Sequence, residues 1–402
     1  MQFLLLCALG LALCGPSVGQ NLSVNPNWRE PSTSRSLAQR IAISQDAINL
    51  MMQQLDASNG QFANIGYWQA GNVWSVMAIQ DELTSTQANK AAVVNNLDLV
   101  FGLFSNYDQF GCGNVPFIFN DDALWWATAA MYGSKAYNST QLLSNAIATW
   151  TSVSRFQITQ AEAQSGSHPL KSFPIEATCD GVTMAGGVFW RPTSEDTSVN
   201  SITTGLFMTL SAYLAEQTKD PKYTDAAVQS ANWIKAHNLN TNSIVLDTVS
   251  AADCSRSPST WIFTYNSGKF IEGLSVLANI TADNQWNNLM LSVIASAVEN
   301  TAWQGSNGIV TEGSDNSQNN DGIGFKAVYI RGLREAFRRT PHNAQLRTLL
   351  RGYINVQYNA LLELAANGSF YSAGWAGPQP SKFTSWGQLA ALDVLTAAVE
   401  VN

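Results

Sequence analysis

Apolar positions recur three and four residues apart through most of this chain, the spacing that lays side chains along one face of an α-helix. Leu206, Leu210, Tyr213 and Leu214 form one such run. The pattern predicts twelve helices, near residues 36–57, 68–83, 87–105, 120–135, 140–155, 200–217, 221–238, 264–279, 282–302, 322–339, 342–364 and 383–398. Their connections alternate. Links after odd-numbered helices tend to be long and rich in Gly, Asn and Ser. Those after even-numbered helices are mostly short, as at Leu83-Thr84-Ser85-Thr86, Lys219-Asp220-Pro221 and Thr340-Pro341. Six helical hairpins in series, none able to bury its apolar face alone, predict an all-α (α/α)6 toroid. The long loops then gather on one face and deliver the chain into the even-numbered helices. Residues 156–199 lack a helical pattern and read as a long loop with a short hairpin. No Pro-rich or low-complexity linker divides residues 20–402, which read as a single domain.

The ends change the picture. Phe3 to Cys14 is apolar and is followed by Gly15-Pro16-Ser17-Val18-Gly19, the pattern of a secretory signal cut after Gly19, although no Lys or Arg precedes the apolar run. Four sequons, at Asn21, Asn138, Asn279 and Asn367, fit export and predict N-glycosylation. Nothing beyond residue 20 is apolar enough for long enough to span a membrane, and the chain ends without an apolar anchor signal. A freely secreted, extracellular monomer is the expectation.

Of five cysteines, Cys7 and Cys14 leave with the leader. Cys112, Cys179 and Cys254 remain, enough for one disulfide and one thiol, with three pairings open. The three histidines (His168, His237, His342) are each solitary, which argues against a zinc site or a His-based triad. A net charge of −8 without a basic run argues against nucleic acid.

Chemistry concentrates where even-numbered helices begin. The second opens on Gly66-Tyr67-Trp68-Gln69-Ala70-Gly71-Asn72, and the fourth on Asn120-Asp121-Asp122-Ala123-Leu124-Trp125-Trp126. Asn200-Ser201 precedes the sixth, after a loop carrying Gly186-Gly187-Val188-Phe189-Trp190. The eighth starts at Thr264-Tyr265-Asn266-Ser267-Gly268, the tenth at Gly324-Phe325-Lys326 and the twelfth at Thr384-Ser385-Trp386. Asn, Ser and Thr cap helices, and Asn120 reads as such a cap. The doubled acid beside two indoles needs more. Carboxyl pairs cleave glycosidic bonds, and Trp faces stack on sugar rings. Adjacent residues suit the shorter carboxyl separation, about 5–5.5 Å, of retaining glycosidases better than the wider inverting one. One acid must start ionised and the other protonated. Mutual repulsion and nearby indoles favour that split, while a helix N-terminus favours both anions.

Metal readings fail on spacing. An Asp-Asp-x-x-Asp magnesium motif would need a carboxylate where Trp125 stands. The polar run Asp315 to Asp321 puts Asn320 at the glycine position of a calcium loop and Lys326 at its bidentate-Glu position. No metal and no cofactor are expected.

Asn-Asp-Asp-Ala-Leu-Trp-Trp-Ala (120–127), Gly-Gly-Val-Phe-Trp (186–190), Asn200 before a helix and Thr-Tyr-Asn-Ser-Gly (264–268) resemble glycoside hydrolase family 76. These are endo-α-1,6-mannanases of bacteria and fungi, related to the fungal cell-wall proteins Dfg5 and Dcw1. The resemblance spans roughly residues 35–398. It implies an (α/α)6 barrel and a retaining endo-α-1,6-mannanase acting on α-mannan, with Asp121 as nucleophile and Asp122 as general acid/base. Trp68, Asn72, Trp125, Trp126, Trp190, Asn200, Tyr265 and Asn266 match motif positions, which implies cleft-lining or structural roles. A cell-wall mannan transglycosylase using the same pair and a non-catalytic mannan-binding protein are the alternatives. Dfg5-like members usually end in an anchor signal that this chain lacks, which disfavours a wall-anchored crosslinker.

Overall fold

The structure, a computed structural model, describes residues 20–109 and 119–402. The expected leader, Cys7, Cys14 and Cys112 lie outside the described residues. All twelve predicted helices are present: α1 (Leu37–Met52), α2 (Tyr67–Thr84), α3 (Lys90–Leu103), α4 (Asn120–Tyr137), α5 (Thr140–Ser154), α7 (Ser201–Thr218), α8 (Pro221–Trp233), α9 (Thr264–Thr281), α10 (Asn284–Ala297), α11 (Asp321–Arg339), α12 (Ala344–Leu364) and α13 (Ser385–Val401). A short α6 (Gln160–Ser165), closed by a Thr159–Glu162 capping box, was not expected.

The even-numbered helices of the sequence pattern (α2, α4, α7, α9, α11, α13) pack each against the next, and α13 returns to α2, closing an inner ring. The others form an outer layer. Burial explains the division. Residues 201–215 of α7 are buried without interruption, as befits a helix covered on all sides, whereas α10 buries only Trp286, Met290, Val293, Ile294 and Ala297, a single stripe. Gly268 and Gly332 permit the closest inner contact. A Cβ on Gly332 would lie 2.0 Å from the Gly268 carbonyl oxygen, so α9 and α11 touch backbone to backbone.

The inner-to-outer turns share a chemistry. Inner helices α2, α4, α7 and α9 end on a left-handed residue: Ser85, Asn138, Lys219 and Ala282, with φ of 53°, 53°, 61° and 53°. In the last three the next residue, Ser139, Asp220 or Asp283, caps the following outer helix through its side chain. This makes the turns short and leaves the loops at the opposite end long.

Those loops hold four two-stranded ladders. β1 (Leu55–Asp56) pairs with β2 (Gln61–Phe62), where the first predicted helix overran its end at Met52. β3 (Thr178–Cys179) and β4 (Val182–Thr183) form the hairpin expected within 156–199. β5 (Ser198–Asn200) pairs with β6 (Thr248–Ser250), binding the approach to α7 to the loop before α9, and β7 (Ala366–Asn367) pairs with β8 (Phe370–Tyr371). Cys179 and Cys254 form the disulfide. No helix of the described residues is long and apolar enough to cross a membrane. The four sequon asparagines are exposed.

The ring's interior is charged. Lys269 meets Glu272 at 2.7 Å with both side chains fully buried, and Tyr132 and Tyr213 donate hydroxyls to the same carboxylate. Arg331 grips Asp393 with two bonds of 2.8 Å. Each of these four buried charges therefore has a partner, the condition under which burial of ions is tolerated.

Candidate active site

Phe119 is extended and contributes no side-chain cap to α4. Asn120 does not cap either, contrary to the sequence reading. It is already helical, its Nδ2 donates to the Phe189 carbonyl at 2.9 Å, and its backbone N–H donates to that of Trp190 at 2.8 Å. The amide serves as a tie between the start of α4 and the 186–190 loop. It brings the Trp190 ring to 4.9 Å from that of Phe119.

The first turn of α4 presents Asp121 and Asp122 to a cavity on the loop face. Trp68 from α2, Trp125 from α4, Trp190, and Tyr265 from α9 line the same cavity, as expected for four of the aromatic positions. Trp125 lies 5.4 Å from Trp68, with the Lys269 ammonium 5.2 Å from its ring beneath the floor. Tyr265 stacks on Phe325 at 3.7 Å and 21°. Trp68 spreads over Gly324, where a Cβ would come within 2.7 Å of the indole, and its Nε1 donates to Asp321 Oδ1 at 2.7 Å.

Phe119, Asp321 and Phe325 also line the cavity and were not among the expected site residues. The sequence pattern places Phe325 at a helix start and Asp321 at the end of a polar loop. The usable signal was position, since Asp321 opens an even-numbered helix.

Four expected residues lie behind the wall rather than in it. Trp126 is fully buried, stacks on Tyr67 at 4.8 Å and donates to the Tyr67 carbonyl. Successive helical residues diverge by about 100°, so Trp125 and Trp126 cannot both face the cavity. Asn72 is buried between the Trp68 carbonyl and Arg331, which donates to its Oδ1 at 2.6 Å. Asn200 caps α7 by accepting from the Thr203 N–H at 3.1 Å. Asn266 donates to Asp247 Oδ1 at 3.0 Å, and its own Oδ1 is buried without a partner among the described residues.

The two acids differ electrostatically. Burial pushes Asp121 up to about 7, against the pull of its backbone N–H and a hydrogen bond from Trp190, with Asp321 and Asp247 adding repulsion. Asp122 is pushed well above the usual carboxylate range, first by burial and then by the charge of Asp121. Asp122 has no hydrogen bond among those pulling its proton off, so Asp121 ionises first and Asp122 keeps its proton. The helix N-terminus favours both anions and so does not itself set that order. Asp121 Oδ1 is buried with no hydrogen-bond partner among the described residues. The site thus holds an acid, a carboxylate with an unengaged oxygen, and rings around both.

Comparison with known proteins places this geometry. The sequence profile of glycosyl hydrolase family 76 matches residues 173–400, over half of the chain, from the loop before α7 to α13. The chain is 24% identical over 276 residues to mannan endo-1,6-alpha-mannosidase DCW1 of Candida albicans, covering 66% of this chain and 57% of that protein. It is 24% identical over 325 residues to the protein of the same name from Saccharomyces cerevisiae, covering 77% and 66%. The chain therefore spans about three-fifths of the length of these curated relatives. Among solved structures, an inactive variant of an α-1,6-mannanase of Salegentibacter sp., with two consecutive aspartates replaced by alanine and α-1,6-mannotetrose bound, superposes with a TM-score of 0.73. Its identity is 17%, over 90% of this chain and 99% of that one. Dfg5 of Chaetomium thermophilum in complex with glucosamine gives a TM-score of 0.70 at 17% identity, over 92% of each chain. At these identities the structural likeness speaks for the fold, and the profile match for the lineage: the chain belongs to glycosyl hydrolase family 76.

Proposed function

We propose that this protein is a secreted, retaining endo-α-1,6-mannanase that hydrolyses α-1,6-mannan backbones by double displacement. The observation that carries the reading is the Asp121–Asp122 pair, which shares one aromatic-walled cavity with unequal proton affinities. Asp121 attacks the anomeric carbon through its carboxylate while Asp122 gives its proton to the departing glycosidic oxygen. The glycosyl–Asp121 ester then forms, and Asp122, now a carboxylate, takes a proton from water as that water attacks the same carbon. Free Asp121 and protonated Asp122 are restored. Trp68, Trp125, Trp190 and Tyr265 offer ring faces to the sugars.

The relatives support the substrate. The curated proteins are named mannan endo-1,6-alpha-mannosidases, and the Salegentibacter mannanase is inactive without two consecutive aspartates. Asp121–Asp122 is the one Asp-Asp dipeptide of this chain. Secretion is supported by the leader pattern, the four exposed sequons and a disulfide, which persists in oxidising compartments.

The test is incubation with linear α-1,6-mannan, with products followed over time and the first-formed anomer read by proton NMR. Shorter oligomers appearing first as the α-anomer are expected. Elongated products would assign a transglycosylase, and binding without turnover would leave a mannan-binding protein.

A further inference from the structure

Trp261 is the one aromatic residue among the exposed large hydrophobic side chains of the described residues, with 47% of its surface accessible. Single exposed apolar residues are common and need no explanation. Trp261 differs because it is neither mobile by its backbone nor isolated. Its N–H donates to the Pro258 carbonyl at 2.9 Å, the Ile262 N–H donates to Thr260, and the buried Trp303 indole donates to the Ile262 carbonyl. The turn is thereby fixed from inside while the indole projects from it.

The ring also begins a row. Trp261 lies 6.2 Å from Phe263, Phe263 lies 5.4 Å from Phe325, and Phe325 lies 5.9 Å from Trp68, with Tyr265 stacked on Phe325. Phe263, Tyr265, Phe325 and Trp68 are all half-buried, so each keeps part of a ring towards solvent. The row runs without a break from the surface into the cavity that holds the two acids. Its steps are of the order of one sugar ring.

We infer that Trp261 is an outlying sugar-binding platform that holds an α-1,6-mannan chain beyond the cavity, giving preference for long chains over short ones. This rests on the mannan reading of the site. The chemistry favours such a platform. A 1,6-linkage has one more rotatable bond than a linkage between ring carbons, so the free polymer is flexible and loses much entropy when held at one place. A second contact on the same chain is intramolecular once the first has formed, and raises affinity by effective concentration. Stacking needs only a ring face and so tolerates the register of a repeating chain.

The experiment measures affinity in an Asp121→Asn, Asp122→Asn background, which separates binding from turnover, for linear α-1,6-mannan and for α-1,6-mannobiose by calorimetry. Adding Trp261→Ala should lower the polymer-to-disaccharide affinity ratio roughly tenfold, and Trp261→Phe should restore most of it. An unchanged ratio overturns the platform, as does an equal loss on both ligands, which would mark a structural role. If the unmodified protein binds mannan with this ratio but never cleaves it, the hydrolase reading falls and the platform stands. If it does not bind mannan at all, both fall.

Discussion

The Trp68 indole donates to Asp321 Oδ1 at 2.7 Å, joining the start of α2 to the start of α11 across the cavity. The same carboxylate raises the proton affinity of both Asp121 and Asp122. Two substitutions separate these effects. Asp321→Asn keeps an acceptor for the indole and removes the charge, so the acid limb of the pH–rate profile should move to lower pH with KM little changed. Asp321→Ala also frees Trp68, and KM should rise roughly tenfold, the worth of a hydrogen bond to a charged group. An acid limb that stays in place in Asp321→Asn would refute the electrostatic assignment.

Catalytic roles are distinguishable by leaving group. Asp121→Ala should lower kcat/KM for mannan by about 10⁴-fold or more, whatever the leaving group. Asp122→Asn should cost about 10²–10⁴-fold on mannan, whose leaving oxygen needs a proton, and recover most activity on an aryl mannoside with an acidic phenol. Steady-state kinetics on both substrates check the pattern. The opposite recovery would exchange the two roles.

The pH dependence follows from the order of ionisation. In the proposed mechanism Asp121 acts as a carboxylate, and burial pushes it up to about 7, so activity should climb as pH rises through that region. It should fall at higher pH as Asp122 loses its proton. Asp122→Asn, assayed on the activated mannoside, should lose the alkaline limb and keep the acid one. The apparent values belong to the coupled pair, so the limbs are compared between variants rather than assigned singly.

Beneath the site, Asp393→Ala would leave the fully buried Arg331 without its two carboxylate bonds. Breaking such a pair costs about 3–5 kcal/mol, which should appear as a large fall in Tm. Asn72, which depends on Arg331, would lose its anchor under Trp68. A Tm within a degree of the unmodified protein would mean that the interior rearranges to solvate the guanidinium.

Asn120→Ala removes the 2.9 Å bond to the Phe189 carbonyl and leaves that buried acceptor unpaired, at a cost of about 1–3 kcal/mol. Activity should fall further than stability explains, because the bond holds Trp190 beside Asp121. Asn120→Asp should not rescue it, since a carboxylate cannot donate to a carbonyl.

The helices were legible because inner and outer ones alike repeat apolar residues three and four apart, and because the alternating link lengths distinguish the two ends of a hairpin. Met52 and Ala297, where two helices stop short of their predicted ends, are followed by turns whose residues continue the apolar spacing by chance. The site was legible as a set of helix starts but not as a surface. Trp125 and Trp126 are equivalent in sequence, and only the helix's rotation assigns one to the cavity and the other to Tyr67. Asn120, Asn200 and Asn266 are the residue type that caps, ties loops or binds sugars. Which role each takes depends on a carbonyl, an N–H or a carboxylate brought from another part of the chain. Asp321 was hidden in a polar run because nothing local marks a carboxylate whose partner, Trp68, is 253 residues away.

The closure of α13 onto α2 gives the inner ring a topological consequence. In an open array of helical pairs the end pair frays first, and lengths can be trimmed with a proportionate loss. A closed circuit has no end pair: each hairpin has two neighbours, and removing any one exposes apolar flanks on both. The protein should therefore unfold as a unit, and a permuted chain cut at one of the short turns, such as Lys219-Asp220, should reassemble the same circuit.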